Sequence, residues 1–187
     1  MIKILVSIFL AIVFSLGTSF GKEMKKIEFS REHLATLADI DELKAFTEKD
    51  LPNWYVDHFM HLSGLKRVEL TNSEIDDNTH VDFTAVYEDG NSDGDHITNF
   101  MTAAQIKQVW PYIDYLEDDV EHFEISSKFV QWEHLFPLAN SGDGTIYIAI
   151  GGDHNRAVYE ADNGDYGIGR VAADIDDFVA SLGIIIK

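Results

Sequence analysis

Two stretches of this chain alternate apolar and polar residues with a period of two, and that period restricts the fold to one built on a sheet. Val81, Phe83, Ala85 and Tyr87 alternate with Asp82 and Thr84, the pattern of a strand with one face buried. Ile146, Ile148 and Ile150 likewise share one face, and Ala157 to Glu160 follow across a Gly151-Gly152-Asp153 turn. Leu65 to Leu70 reads as a neighbouring strand, the glycine-rich stretch Asp89 to Asp95 ends the first run, and Asn163-Gly164 signals another hairpin turn. Consecutive strands joined by short turns imply antiparallel pairing.

Around these runs the period changes to that of a helix. Asp39 and Glu42 have capping-box spacing, and Ile40, Leu43 and Phe46 recur at helical intervals, predicting a helix over about 40–48. Pro52 suits the first turn of a second, over about 52–62, with Tyr55, Phe59 and Leu62 on one face and Gly64 closing it. Asn99 to Trp110 reads as helical, Pro111 interrupts it, and Tyr112 to Phe123 reads as a second acidic segment. The last helix carries Ile175, Phe178, Val179 and Leu182 inward, has Asp174, Asp176 and Asp177 at its positive end, and stops at Gly183. The expected class is α+β: an antiparallel or mixed sheet with helices packed on one face, in a single domain.

The N-terminus has the order of a secretory signal: Lys3, then an apolar run from Ile4 to Leu16, then Ser19 and Gly21 as small residues for cleavage. The run is shorter than the roughly 20 residues that span a bilayer. Residues 1–21 are therefore expected to be a signal peptide and 22–187 the domain, in the periplasm or secreted. There is no cysteine, so neither disulfides nor thiolate chemistry is available. The formal charge of −19 opposes binding to phosphate backbones and anionic lipid. The expected partners are accordingly a basic protein or a cation, with no nucleic acid and, once the signal is removed, no membrane.

Three short patterns invite chemistry. Gly90-Asn91-Ser92-Asp93-Gly94 matches G-x-S-x-G, but a nucleophile elbow joins a buried parallel strand to a helix, and here polar residues follow a half-polar strand. A periplasmic hydrolase using Ser92 is the weaker alternative. Asp89, Asn91, Asp93 and Gly94 open like a calcium loop, with Asp95 beside them, yet its twelfth position is Phe100 where a bidentate glutamate belongs. These four oxygen-bearing residues, Asp89, Asn91, Asp93 and Asp95, are the weak calcium candidates of a secreted binding module. His58 and His61 lie three apart on a predicted helix and Asp153-His154 in a turn, but zinc needs three or four converging ligands.

From Phe129 onward the sequence resembles the SUKH superfamily of Smi/Knr-type domains. Phe136-Pro137-Leu138-Ala139 is similar to the family's aromatic-Pro-apolar-Ala segment, and Ser141-Gly142-Asp143-Gly144 to its glycine-rich turn. Ile146 to Ile150 and Val158 to Glu160 resemble its next strands, and Ala173 to Leu182 its closing helix. Upstream, Leu51-Pro52, Tyr55 and Phe59 are similar to the family's Leu-Pro-x-x-Tyr/Phe helix, which normally leads into an Asn-Gly-Gly turn; here that turn is Ser63-Gly64. The resemblance implies a non-catalytic immunity protein that binds and blocks a bacterial toxin, with no catalytic residues to carry over; no cofactor and no resident metal are expected. The acidic turn residues Asp89, Asp93, Asp95, Asp143, Asp153, Asp162 and Asp165 are the candidate contacts for a basic toxin domain.

Overall fold

The computed structural model describes residues 27–68, 81–87, 90–112, 131–142, 144–162 and 167–186. The expected signal segment 1–21, the acidic segment beyond Tyr112 and the Asn163-Gly164 turn lie outside them. Among the described residues no helix is long and apolar enough to cross a membrane.

Among the described residues ten strands form one sheet: β1 (Glu28–Arg31), β2 (Leu65–Arg67), β3 (Phe83–Tyr87), β4 (Ser92–Asp95), β5 (Ile97–Phe100), β6 (Leu135–Ser141), β7 (Gly144–Ala149), β8 (Val158–Asp162), β9 (Ile168–Ala172) and β10 (Ile185–Ile186). Their order is β10-β1-β2-β5-β6-β7-β8-β9-β3-β4. Every pairing is antiparallel except β1 with β10, so the sheet is mixed by that single pair. Among the described residues four helices complete the α+β domain: α1 (Leu37–Thr47), α2 (Asn53–Leu62), α3 (Ala103–Val109) and α4 (Ile175–Leu182).

The connectivity forces the sheet to curl. β4 is an outer strand and β5 lies six positions inward, yet His96 alone separates them. Laid flat, six strand spacings would measure about 29 Å, whereas the backbone from Asp95 to Ile97 reaches about 7 Å. The sheet therefore bends back on itself until the β4 end meets β6, where Gly142 N donates to His96 O at 3.0 Å. A buried ion pair crosses the same junction. Arg67 on β2 donates to Asp82, just before β3, and Asp82 Oδ2 also accepts from Ile97 N on β5 at 3.1 Å.

The helices pack over one face. Ile40 and Leu43 of α1, Tyr55, Phe59 and Leu62 of α2, Ile106 of α3, and Ile175, Phe178 and Leu182 of α4 join Phe136, Ile146, Ile148 and Val158 in the main core. The opposite face has its own smaller buried cluster, including Leu135, Tyr147, Tyr159 and Ile168. Apolar burial on both faces explains why β6 reads as a nearly continuous apolar run.

Four local expectations are corrected. The α1 capping box is Thr36 with Asp39, three residues upstream of the expected pair, and Thr47 takes the inward position while Phe46 is exposed. Val81 is exposed and precedes β3. Ser92 to Asp95 form a polar strand rather than a loop. The segment read as helical from Asn99 is a strand up to Phe100, and α3 begins only after Thr102, whose side chain and Gln105 make a second capping box.

Candidate functional site

A cleft of about 450 Å³ lies between α1 and α3, floored by β2 and β5. Its walls are formed by residues far apart in sequence: Glu32 and His33 before α1, Asp39 and Glu42 on α1, Lys66 on β2, and Lys107 on α3. Asp39 is the most firmly placed of these. Its Oδ2 accepts from the Thr36 hydroxyl and from Thr36 N, both at 2.7 Å, and its Nε2 neighbour on His33 lies at 3.7 Å. The Thr36 hydroxyl holds the Asp39 carboxyl below the usual aspartate range, with burial opposing. Lys66 pairs with Glu32 at 3.4 Å and Lys107 pairs with Glu42.

Gly64 positions this cleft. It has φ +73 and its carbonyl accepts from Glu32 N at 2.9 Å, while its N donates to Phe100 O at 3.1 Å. A Cβ added there would fall 2.6 Å from His33 O, a backbone atom. Glycine thus permits the loop before α1 to lie directly on the end of α2. Gly64→Ala is expected to cost about 1–3 kcal/mol, from a non-glycine residue in the left-handed region, and to displace His33; thermal denaturation and the His33 NMR resonances check both.

A second polar cluster ties the β7–β8 turn to two helices. Arg156 has a positive φ of 77 and lies over the Trp54 ring, 5.0 Å from its centroid. Its Nε and Nη2 donate to Asp174, the N-cap of α4, at 2.7 and 3.0 Å, and Nη2 also donates to Asp176. His58 completes the set, with Nε2 2.9 Å from Asp176 Oδ1 and Nδ1 donating to Trp54 O at 2.7 Å. Arg156 holds the Asp174 carboxyl below its ordinary value near 3.8. A lowered folded pKa contributes stability that is present above the unfolded value and lost as pH falls through the folded one. Melting temperature should therefore drop as pH is taken below about 4, and Arg156→Ala should flatten that drop. At neutral pH the same substitution is expected to cost about 2 kcal/mol, the scale of hydrogen bonds to charged groups.

Among the described residues, Asp93 and Asp95 lie near one end of β7 and Asp153 in the turn at the other. Asp89, Asp143 and Asp165 lie outside the described residues; Asp162 ends β8 opposite Gly144. Asp95 is packed beside Gly142, with Oδ1 accepting from His96 N at 2.6 Å. Asp93 Oδ1 accepts from Gly94 N at 2.8 Å, so this outer strand caps one of its own donors and carries charge, which discourages pairing with a foreign strand. Asp153 belongs to the turn at the other end of β7, where its N donates to Gln131 Oε1 at 2.9 Å. The described calcium candidates Asn91, Asp93 and Asp95 lie along a turn and strand, and no group of three or more His, Asp or Glu able to hold a metal occurs among the described residues. His58 and His61 each direct Nδ1 to a helix carbonyl, Trp54 O and Asp57 O, rather than to a common point. The cleft residues escaped the sequence reading because their only shared signal is tertiary: four separate elements supply its walls.

Among curated proteins none matches the chain. A family match, described as SMI1 / KNR4 family (SUKH-1), covers residues 34–181. That span runs from the loop before α1 to the last turn of α4, taking in the Arg156 cluster and the cleft lining apart from Glu32 and His33, and the chain accordingly belongs to the SMI1 / KNR4 family (SUKH-1).

Proposed function

We infer that this protein is a non-catalytic immunity protein that neutralises a cognate bacterial toxin by direct binding in the cell envelope. Family membership over residues 34–181 is the observation that carries the reading. The charge of −19 adds the sign of the partner, because complementary potentials speed encounter and disfavour like-charged competitors. The signal-like residues 1–21 supply the compartment. Chemistry on the toxin is unnecessary to this role: occupying the toxin's working surface suffices.

The test is a pull-down with the full chain carrying a C-terminal tag, expressed in its own cells, from the envelope fraction at low and high salt. The expected result is one stoichiometric basic protein, retained at 50 mM salt and substantially released by 0.5 M, where exposed charges are screened within a few ångströms. That protein should be toxic when expressed alone and harmless when co-expressed. A captured protein with no toxicity, or turnover of a substrate by the chain itself, would overturn the reading.

A further inference from the structure

We propose that the groove between α2 and α4 receives a lysine or arginine of the toxin, its carbon chain lying on Leu62 and Val179 and its charged end bound by Asp57. The inference rests on the immunity reading and adds to it the docking surface and the kind of residue that fits it.

The side chains of Asp57, His58, His61 and Leu62 on α2 and of Val179 on α4 line one opening of about 250 Å³. Helical spacing explains the arrangement. Asp57 and His61, and likewise His58 and Leu62, stand one turn apart, so the four form two adjacent rows along α2. Leu62 is buried and Val179 partly buried, and together they give the groove an apolar floor. His58 also ties the two helices together, with Nε2 2.9 Å from Asp176 Oδ1 on α4. Asp57 is exposed, and among the described residues its carboxylate has no hydrogen-bonding or ion-pairing partner.

This composition selects the occupant. Neither α2 nor α4 carries a lysine or arginine, while α4 and its cap add Asp174, Asp176 and Asp177. The cations that bond to these helices are already engaged, Arg156 with Asp174 and Asp176, and Arg31 with the His61 carbonyl. The cleft between α1 and α3 differs, because there Lys66 and Lys107 pair with Glu32 and Glu42. An apolar floor beside an unpaired carboxylate suits a side chain with a hydrocarbon stem and a cationic end, the combination lysine and arginine provide. A purely aliphatic occupant would desolvate Asp57 with no counter-charge, and an acidic one would meet like charge. The charge of −19 on the whole chain attracts the same class of partner on approach.

The test takes the basic protein captured in the pull-down, purified, and titrates it against the parent chain, Asp57→Lys and Asp41→Lys. Asp41 is exposed on α1 and lines neither opening, so the two variants alter net charge equally but only one alters the groove. Asp57→Lys should weaken Kd about tenfold or more, the effect of losing a charge pair inside an interface. Its melting temperature should stay within about 2 °C of the parent, as for a surface substitution. Asp41→Lys should weaken Kd less than about threefold, the effect of the general field alone. A photo-crosslinking amino acid at His61 should join the same protein, and one at exposed Val86 on β3 should not. Equal effects of the two charge reversals, no weakening by Asp57→Lys, or a crosslink from position 61 to a second copy of this chain would each overturn the groove assignment while the immunity reading stands. If the pull-down yields no protein, both fall.

Discussion

Phe136→Ala is expected to lower stability by about 3–5 kcal/mol, the cost of emptying a large buried aromatic position. Phe136 is fully buried on β6 and joins three elements at one point. Its ring meets Tyr55 of α2 edge-on at 5.1 Å and Trp110, just past α3, at 5.2 Å. Tyr55 in turn stacks on Phe59 at 6.1 Å. Removing the ring withdraws the common contact of α2, the end of α3 and the sheet, and surrounding backbone held by the sheet ladder cannot close the void. At about 2–4 °C per kcal/mol for a domain of this size, melting temperature should fall by roughly 6–20 °C. Phe136→Leu, which keeps most of the volume, should cost about 1 kcal/mol. Equal, small losses for both variants would show that this aromatic cluster does not organise the core.

The second large effect concerns the curl of the sheet. Arg67→Met should cost about 3–5 kcal/mol, because it leaves the Asp82 carboxylate buried without its cation. The Asp82 side chain has no exposed surface and that of Arg67 is 12% exposed. Their bond spans β2 and the start of β3, strands at distant positions in the sheet order that only the curl brings together. Urea denaturation of Arg67→Met, Asp82→Asn and the double variant measures the coupling directly. The double variant should be more stable than the sum of the two single losses predicts, since it removes the stranded charge. Strict additivity would mean that the ion pair contributes nothing to holding the curl closed.

Much of the local structure was legible. Tyr55, Phe59 and Leu62 recur at helical spacing and are buried on α2, and α4 has its inward Ile175, Phe178 and Leu182, its Asp174 cap and its Gly183 stop where the pattern placed them. The misreadings have identifiable causes. The segment read as helical from Asn99 opens instead with the end of β5, whose pairing with β6 shifts register between Ile97 and Asn99 so that Ile97 and Phe100 are both buried. Pro137 falls inside β6, which accommodates it at a register shift between Pro137 and Ala139. Asp39 was assigned the first half of a capping box and instead supplies the second, because Thr36 offers both a hydroxyl and a free N–H one turn earlier.

The candidate surface was the least legible part. Acidic turns are conspicuous in the sequence, and Asp93, Asp95 and Asp153 were natural candidates, but the fold separates Asp153 from the others by the length of β7 and turns Asp93 and Asp95 onto neighbouring backbone. Leu34 and Leu37 are exposed before and at the start of α1. Only the packing of Ile40, Leu43 and Thr47 shows that these leucines are surplus to the core.

By itself the sequence determined the class of the domain, its helices at both ends, the two-residue period of its strands and the sign of its field, because each depends on local periodicity or on a sum over charges. Only the tertiary structure decided which strands adjoin, that the sheet bends until β4 runs into β5 through one residue, and that α1 and α3 enclose a cleft. Those outcomes depend on contacts between residues tens of positions apart, chosen by the packing of the whole core, which no local pattern encodes.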